Sequence, residues 1–178
     1  TQGRHGFAVT ASHNPPADNG LKLFRDGSEY DRAAEKRVED RVDTDPVEWD
    51  QWGTGSRQEV LGAYRDAVVE HASETAGTCV GLDIVVDCGN GMASLVVPAV
   101  LRELGARVVT LNGNIDGHFP GRASKPTAES LADLRSFVAD GDFDLGIGHD
   151  GDADRIVIID SDGAVVHEDT VLAIIAEH

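Results

Sequence analysis

The chain of 178 residues carries 15 Lys and Arg against 32 Asp and Glu, a formal charge of −17 at pH 7, with 40% hydrophobic residues. That apolar fraction supports a buried core in one large or two small domains and excludes a disordered acidic tail. The charge, with no Lys/Arg cluster, argues against nucleic-acid or anionic-membrane partners, so any anionic substrate needs locally placed cations.

The acids are 21 Asp and 11 Glu, and the bases 12 Arg and only Lys22, Lys36 and Lys125. Such a surface keeps a protein soluble where salt screens its self-repulsion, so most of the charge reads as a halophile-type adaptation. Two cysteines make no disulfide framework; Cys88, inside the apolar run 83–88, reads as a buried reduced thiol in a cytoplasmic protein. No apolar run approaches the ~20 residues of a membrane span.

In chain order, residues 7–10 form a strand running into a loop at Ala11–Pro16, where two prolines break regular structure, and Asp18-Asn19-Gly20 marks a turn. A polar helix is expected over 32–43 behind Asp31. Thr44 to Gly55, with Pro46, Trp49 and Trp52, reads as a loop pinned by its aromatics. Ser56 and Glu59 form a capping box for a helix with Val60, Leu61, Tyr64, Ala67 and Val68 on one face, ending near Thr75.

From Gly81 strand and helix alternate. Strands are expected at 82–87, 107–111, 143–148 and 155–160; helices at 92–104, ending at Gly105, and from a Thr127 cap through Val138 with Leu131, Leu134 and Phe137 inward. Asp162-Gly163 turns into Val165-Val166. This alternation predicts an α/β fold of βαβ units, with mainly parallel sheets covered by helices on both faces. A composition shift near Ala76-Gly77 marks the expected domain boundary. The chain lacks an initial Met and stops inside the apolar-periodic stretch 170–178, and so reads as part of a longer polypeptide.

The strongest chemical signal is His149-Asp-Gly-Asp-Ala-Asp-Arg155 between two apolar strands. Asp150, Asp152 and Asp154, at i, i+2 and i+4, converge charges that cannot stay ionised together without a cation; Mg²⁺, with oxygen ligands and room for a phosphate, answers that need. An EF-hand fails, because positions six and twelve hold Arg155 and Ser161. A haloacid-dehalogenase-like phosphatase with Asp150 as nucleophile, a non-catalytic metal-binding domain, and a plain acidic turn are the alternatives. Gly89-Asn-Gly91-Met-Ala-Ser94 lacks the third glycine and the following acid of a dinucleotide fingerprint. Ser12-His13 adjacency alone means little, though it puts a hydroxyl at a strand end, where α/β sites collect.

Together, Thr10-Ala-Ser-His-Asn-Pro-Pro-Ala-Asp-Asn-Gly-Leu-Lys22 and Asp150-Gly-Asp-Ala-Asp-Arg155 resemble the α-D-phosphohexomutase family, which includes phosphoglucomutases, phosphomannomutases and phosphoglucosamine mutases. Val86–Gly91 and Asp116–Gly121 are similar to it too. At Ala123-Ser-Lys125-Pro-Thr, many relatives have His or Asn followed by Pro-Glu-Pro-Thr. The resemblance implies that Ser12 carries a transferable phosphoryl group, and that Asp150, Asp152 and Asp154 hold Mg²⁺ together with an oxygen on Ser12. His13 and Lys22 would line the phosphoryl site, Lys22 as a proton-transfer candidate, and Arg155 would hold phosphoserine or substrate.

The implied reaction interconverts hexose 6-phosphate and hexose 1-phosphate through a hexose 1,6-bisphosphate. In this scheme residues 1–76 are the C-terminal part of a first domain, 77–164 a second, and 165–178 the start of a third; the regions that choose the sugar lie outside the chain. Oligomeric state is not read from the sequence. The halophile-type surface predicts that transfer from molar salt to low salt expands the chain, measured as hydrodynamic radius by dynamic light scattering; an unchanged radius counts against that reading.

Overall fold

The structure is a computed structural model describing residues 5–43 and 48–177. Its contacts divide the chain into two compact units, Thr1–Ala11 with Asn19–Glu59, and Ser12–Asp18 with Val60–His178. These units change over at residues 59 and 60, and Ala76, at the compositional shift, caps the helix that ends at Thr75.

The first unit is an antiparallel sheet of β1 (His5–Val9), β2 (Leu21–Arg25) and β3 (Ser28–Glu29), followed by helix α1 (Arg32–Glu39). Asp26 and Gly27 join β2 to β3 with φ of 50° and 86°, the two positive values a tight hairpin turn requires. The Asp31 carboxylate accepts from the Ala34 N–H at 2.7 Å, so α1 starts where the sequence places it; it ends at Glu39, four residues short of the expected 43. Trp49 and Trp52, expected to pin this loop, are both largely exposed beside a 3-10 turn at Trp49–Gln51. Thr44, Pro46 and Val47 lie outside the described residues.

The second unit opens with α2 (Leu61–Thr75). The Ser56–Glu59 capping box does not form: Val60 occupies the cap position without a side-chain bond, and Glu59 accepts from Arg57 instead. Its sheet has the order β5 (Arg107–Leu111), β4 (Asp83–Asp87), β6 (Leu145–His149), β7 (Ile156–Asp160), β8 (Val165–Val166). β4 pairs in parallel with both neighbours, as the βαβ pattern predicts, and β7 and β8 extend this centre antiparallel. Helix α5 (Glu168–Glu177) follows, and among the described residues no helix is long and apolar enough to cross a membrane.

Alternation along β4 gives the sheet two buried faces. Ile84, Val86 and Cys88 meet Ala93 and Ala106, with Val97 and Leu101 of α3 (Val97–Glu103) packed against them; Val85 meets Leu131, Leu134, Val138 and Ile159. Burial pushes the Cys88 thiol up to about 11, and both cysteines are free. The helix expected over 92–104 is a 3-10 turn at Met92–Leu95 and then α3, because Pro98 suits a first helical turn and cannot continue a helix from before. Thr127 closes a preceding turn through Ser130 rather than capping α4 (Ala132–Ala139).

Phe137, expected inward, is 43% exposed at the rim, its ring 5.5 Å from that of Phe143, and Val138 takes the core position four residues after Leu134. Leu131, fully buried beneath the sheet, is expected to cost about 2–5 kcal/mol when changed to Ala, read from urea unfolding.

Candidate functional site

The acidic loop lies between β6 and β7. Ala153 has φ 64°, and the Asp150 carboxylate accepts from the Arg155 N–H at 3.2 Å, so the loop curls on itself and brings one carboxylate oxygen each from Asp150, Asp152 and Asp154 within 4.8 Å of one another. Asp150 is fully buried, Asp152 half-buried and Asp154 exposed. Arg155 Nε stands 3.9 Å from both Asp150 and Asp154, and Asp150 Oδ2 is buried with no hydrogen-bond partner.

Burial raises the Asp150 pKa, the Arg155 N–H opposes the rise, and the charges of Asp152 and Asp154 add to it. At separations within 4.8 Å and an effective dielectric near 20, the repulsion of each pair of like charges is on the order of 3–4 kcal/mol before solvent screening, which is strongest at the exposed Asp154. Full ionisation thus calls for a cation. Three carboxylates with an orphaned buried oxygen fit a hard divalent ion such as Mg²⁺.

The segment Ser12–Asp18 packs with this loop. Ser12 Oγ donates to Asp152 Oδ1 at 3.2 Å and lies 3.2 Å from His13 Nδ1. Ser12 adopts φ 53°, unusual for a residue with a side chain. The approach is close because Gly151 lacks a Cβ; one placed there would stand 2.8 Å from the Ser12 carbonyl oxygen. Gly91 supports the loop from beneath: its Cβ would come 2.5 Å from the Gly151 oxygen, which accepts from the Met92 N–H at 3.0 Å. The glycine turn at 89–91 is therefore a buttress for the acidic loop.

Of the residues singled out from sequence, Ser12, His13, Asp150, Asp152, Asp154 and Arg155 belong to the second unit and Lys22 to the first. Lys22 lies half-buried on β2, opposite Ala8 in register.

Three contributors escaped the sequence reading. Arg122, buried, donates to Asp87 Oδ2 at 2.8 Å and to the His149 carbonyl at 2.6 Å, so it fixes the residue from which the acidic loop springs. Asp87 also accepts from the Gly89 N–H at 2.8 Å and Asn112 Nδ2 at 3.0 Å. Ser124 donates to the carbonyls of His13 and Asn14. The signal for Asp87 was present: a carboxylate closing a fully apolar strand needs a buried partner. Nothing in the local sequence marks Arg122 or Ser124 as the partners involved.

Fold and site together define an α/β unit that sets a serine hydroxyl beside a cluster of three carboxylates at its strand ends. Residues 63–163 match phosphoglucomutase/phosphomannomutase, alpha/beta/alpha domain II, and residues 1–48 match domain I of the same family. The chain belongs to the phosphoglucomutase/phosphomannomutase family, the phosphohexomutases.

A probable phosphoglucosamine mutase of Methanopyrus kandleri is 42% identical over 174 residues, covering 96% of this chain and 38% of that protein. A phosphopentomutase of Thermococcus kodakarensis is 41% identical over 176 residues, covering 97% and 38%. The crystal structure of a family protein from Burkholderia thailandensis superposes with TM-score 0.81 at 30% identity, over 97% of this chain and 37% of that one. The chain thus spans under half the length of these relatives.

Each of Asp150→Asn, Asp152→Asn and Asp154→Asn is expected to weaken Mn²⁺ binding, followed by electron paramagnetic resonance, by at least about tenfold. Because the Asp150 pKa is raised above its ordinary 3.8, affinity falls as pH drops through the window above that value. Without divalent cation the sign for stability is opposite: the folded state resists ionising Asp150, so stability declines as pH rises through the same window, and Asp150→Asn flattens that slope.

Proposed function

We propose that the chain forms the phosphoserine and metal-binding part of a phosphohexomutase that interconverts hexose 6-phosphate and hexose 1-phosphate in the cytoplasm. The observation carrying this reading is the Ser12 hydroxyl 3.2 Å from Asp152 in a cage of three carboxylates. With Ser12 phosphorylated, a sugar hydroxyl attacks the phosphorus, the bond from phosphorus to Ser12 Oγ breaks, and a hexose 1,6-bisphosphate forms. Its other phosphoryl group then returns to Ser12.

Asp150, Asp152 and Asp154 would hold Mg²⁺, which when bound supplies positive charge to neutralise the phosphoryl oxygens. Phosphoserine carries about −1.5 to −2 charge, and Asp152 can lie beside it only where that charge is compensated. His13, whose ring nitrogen lies against Ser12 Oγ, orients that oxygen, and Arg155 contributes its guanidinium to the phosphoryl group or the substrate. Lys22 takes the proton from the attacking hydroxyl, a role resting on its match to the family motif. Relatives named for glucosamine and pentose phosphates fit the same phosphoryl chemistry with different sugars.

The phosphatase alternative requires an accessible nucleophilic Asp150. That carboxylate is fully buried, whereas Ser12 is half-exposed. In a polypeptide of the relatives' full length that contains this chain, labelled hexose 1,6-bisphosphate is expected to place label on the peptide carrying Ser12. Ser12→Ala lowers mutase turnover by at least about 10³-fold. Label on Asp150 would favour the phosphatase, and unchanged turnover in Ser12→Ala a non-catalytic metal-binding domain.

A further inference from the structure

We propose that Ser124 is a positioning residue for the phosphoserine loop, holding Ser12 over the carboxylate cage once phosphorylation has removed the bond that the Ser12 hydroxyl itself makes to Asp152. This rests on the reading of Ser12 and the cage given above. Ser124 is 5% exposed, and its single hydroxyl proton is shared between the carbonyl oxygens of His13 at 2.7 Å and Asn14 at 3.0 Å. These are the two residues that follow Ser12, whose left-handed backbone is unfavourable for a residue with a side chain and persists only where its surroundings enforce it.

Ser12 also holds itself to the cage by donating its hydroxyl proton to Asp152. Phosphorylation removes that proton and puts negative charge beside a carboxylate, so the contact changes from attraction to repulsion. The Ser124 contact is immune to this change, because its acceptors are neutral backbone carbonyls. Its own position is fixed two residues away, where Arg122 is bound to Asp87 and to the His149 carbonyl. One buried guanidinium therefore anchors both the start of the acidic loop and the clamp on the serine loop. Registration of a phosphoryl group against a cation in the cage follows from this shared anchor.

The test uses the 178-residue chain with either serine or genetically encoded phosphoserine at position 12, with Mn²⁺ affinity read by electron paramagnetic resonance. Phosphoserine is expected to strengthen Mn²⁺ binding. Ser124→Ala should cut that gain about three- to tenfold, the range set by one hydrogen bond, while leaving the unphosphorylated chain's affinity within about twofold. Ser124→Thr, which keeps the hydroxyl, restores the gain.

Absence of any gain with Ser124 intact would overturn the reading of the site itself. A full gain retained in Ser124→Ala overturns the positioning role alone, and so does an equal loss in both forms, which marks a purely structural residue. If circular dichroism shows Ser124→Ala unfolded, Ser124→Thr against Ser124→Val, alike in shape and differing in the hydroxyl, decides by the same criterion.

Discussion

The buried ion pair between Arg122 and Asp87 is the constraint on which the rest of the second unit depends. Removing two charges from water costs several kcal/mol each, recovered only if nearly every donor and acceptor is used. Here they are used. The guanidinium reaches Asp87 and the carbonyls of Asp87, Ala123 and His149, and the other carboxylate oxygen of Asp87 takes Gly89 and Asn112. These partners lie at the C-terminal ends of β4, β5 and β6, the edge of a parallel sheet where ligand sites collect. The pair joins three strand ends and two loops into one frame, and its yield is geometry more than stability.

That frame makes an electrostatically unfavourable loop possible. Asp150 sits at zero exposure beside two further carboxylates, with one oxygen unbonded and a partly exposed Arg155 as its neighbouring cation. Arg122 is already committed to Asp87. The negative charge of the chain thus has two different characters. Most of it is exposed and solvated, where ionic strength governs its effect; the cage is partly desolvated, and there charge must be answered by a proton or a cation.

Much of the fold was legible, and where it was not the reasons are specific. β5 matches its expected range because Arg107–Leu111 is a β-branched run bounded by Gly105 and Asn112. The antiparallel β2–β3 hairpin went unread although Asp26-Gly27 is a strong hairpin signal, because β2 is too short to show alternation clearly. Phe137 was misplaced because spacings of three and four are both helical, and the choice between Phe137 and Val138 depends on which residue the sheet covers. The capping box at Ser56 failed although its pattern was correct, since its few tenths to ~2 kcal/mol yield to whatever sets the start of α2.

By itself the sequence determined the strand–helix alternation, the acidic trio and the serine loop that mark the family, because these depend on local spacing and side-chain chemistry. Only the tertiary structure decided that Ser12–Asp18 packs with the acidic loop, that Asp150 and not its two neighbours is buried, and that Arg122 and Ser124 hold the two loops in register. Those facts arise from contacts between residues some 30 to 140 positions apart. No local pattern encodes such pairings: a buried charge or hydroxyl announces that it needs a partner, and folding alone selects which one it meets.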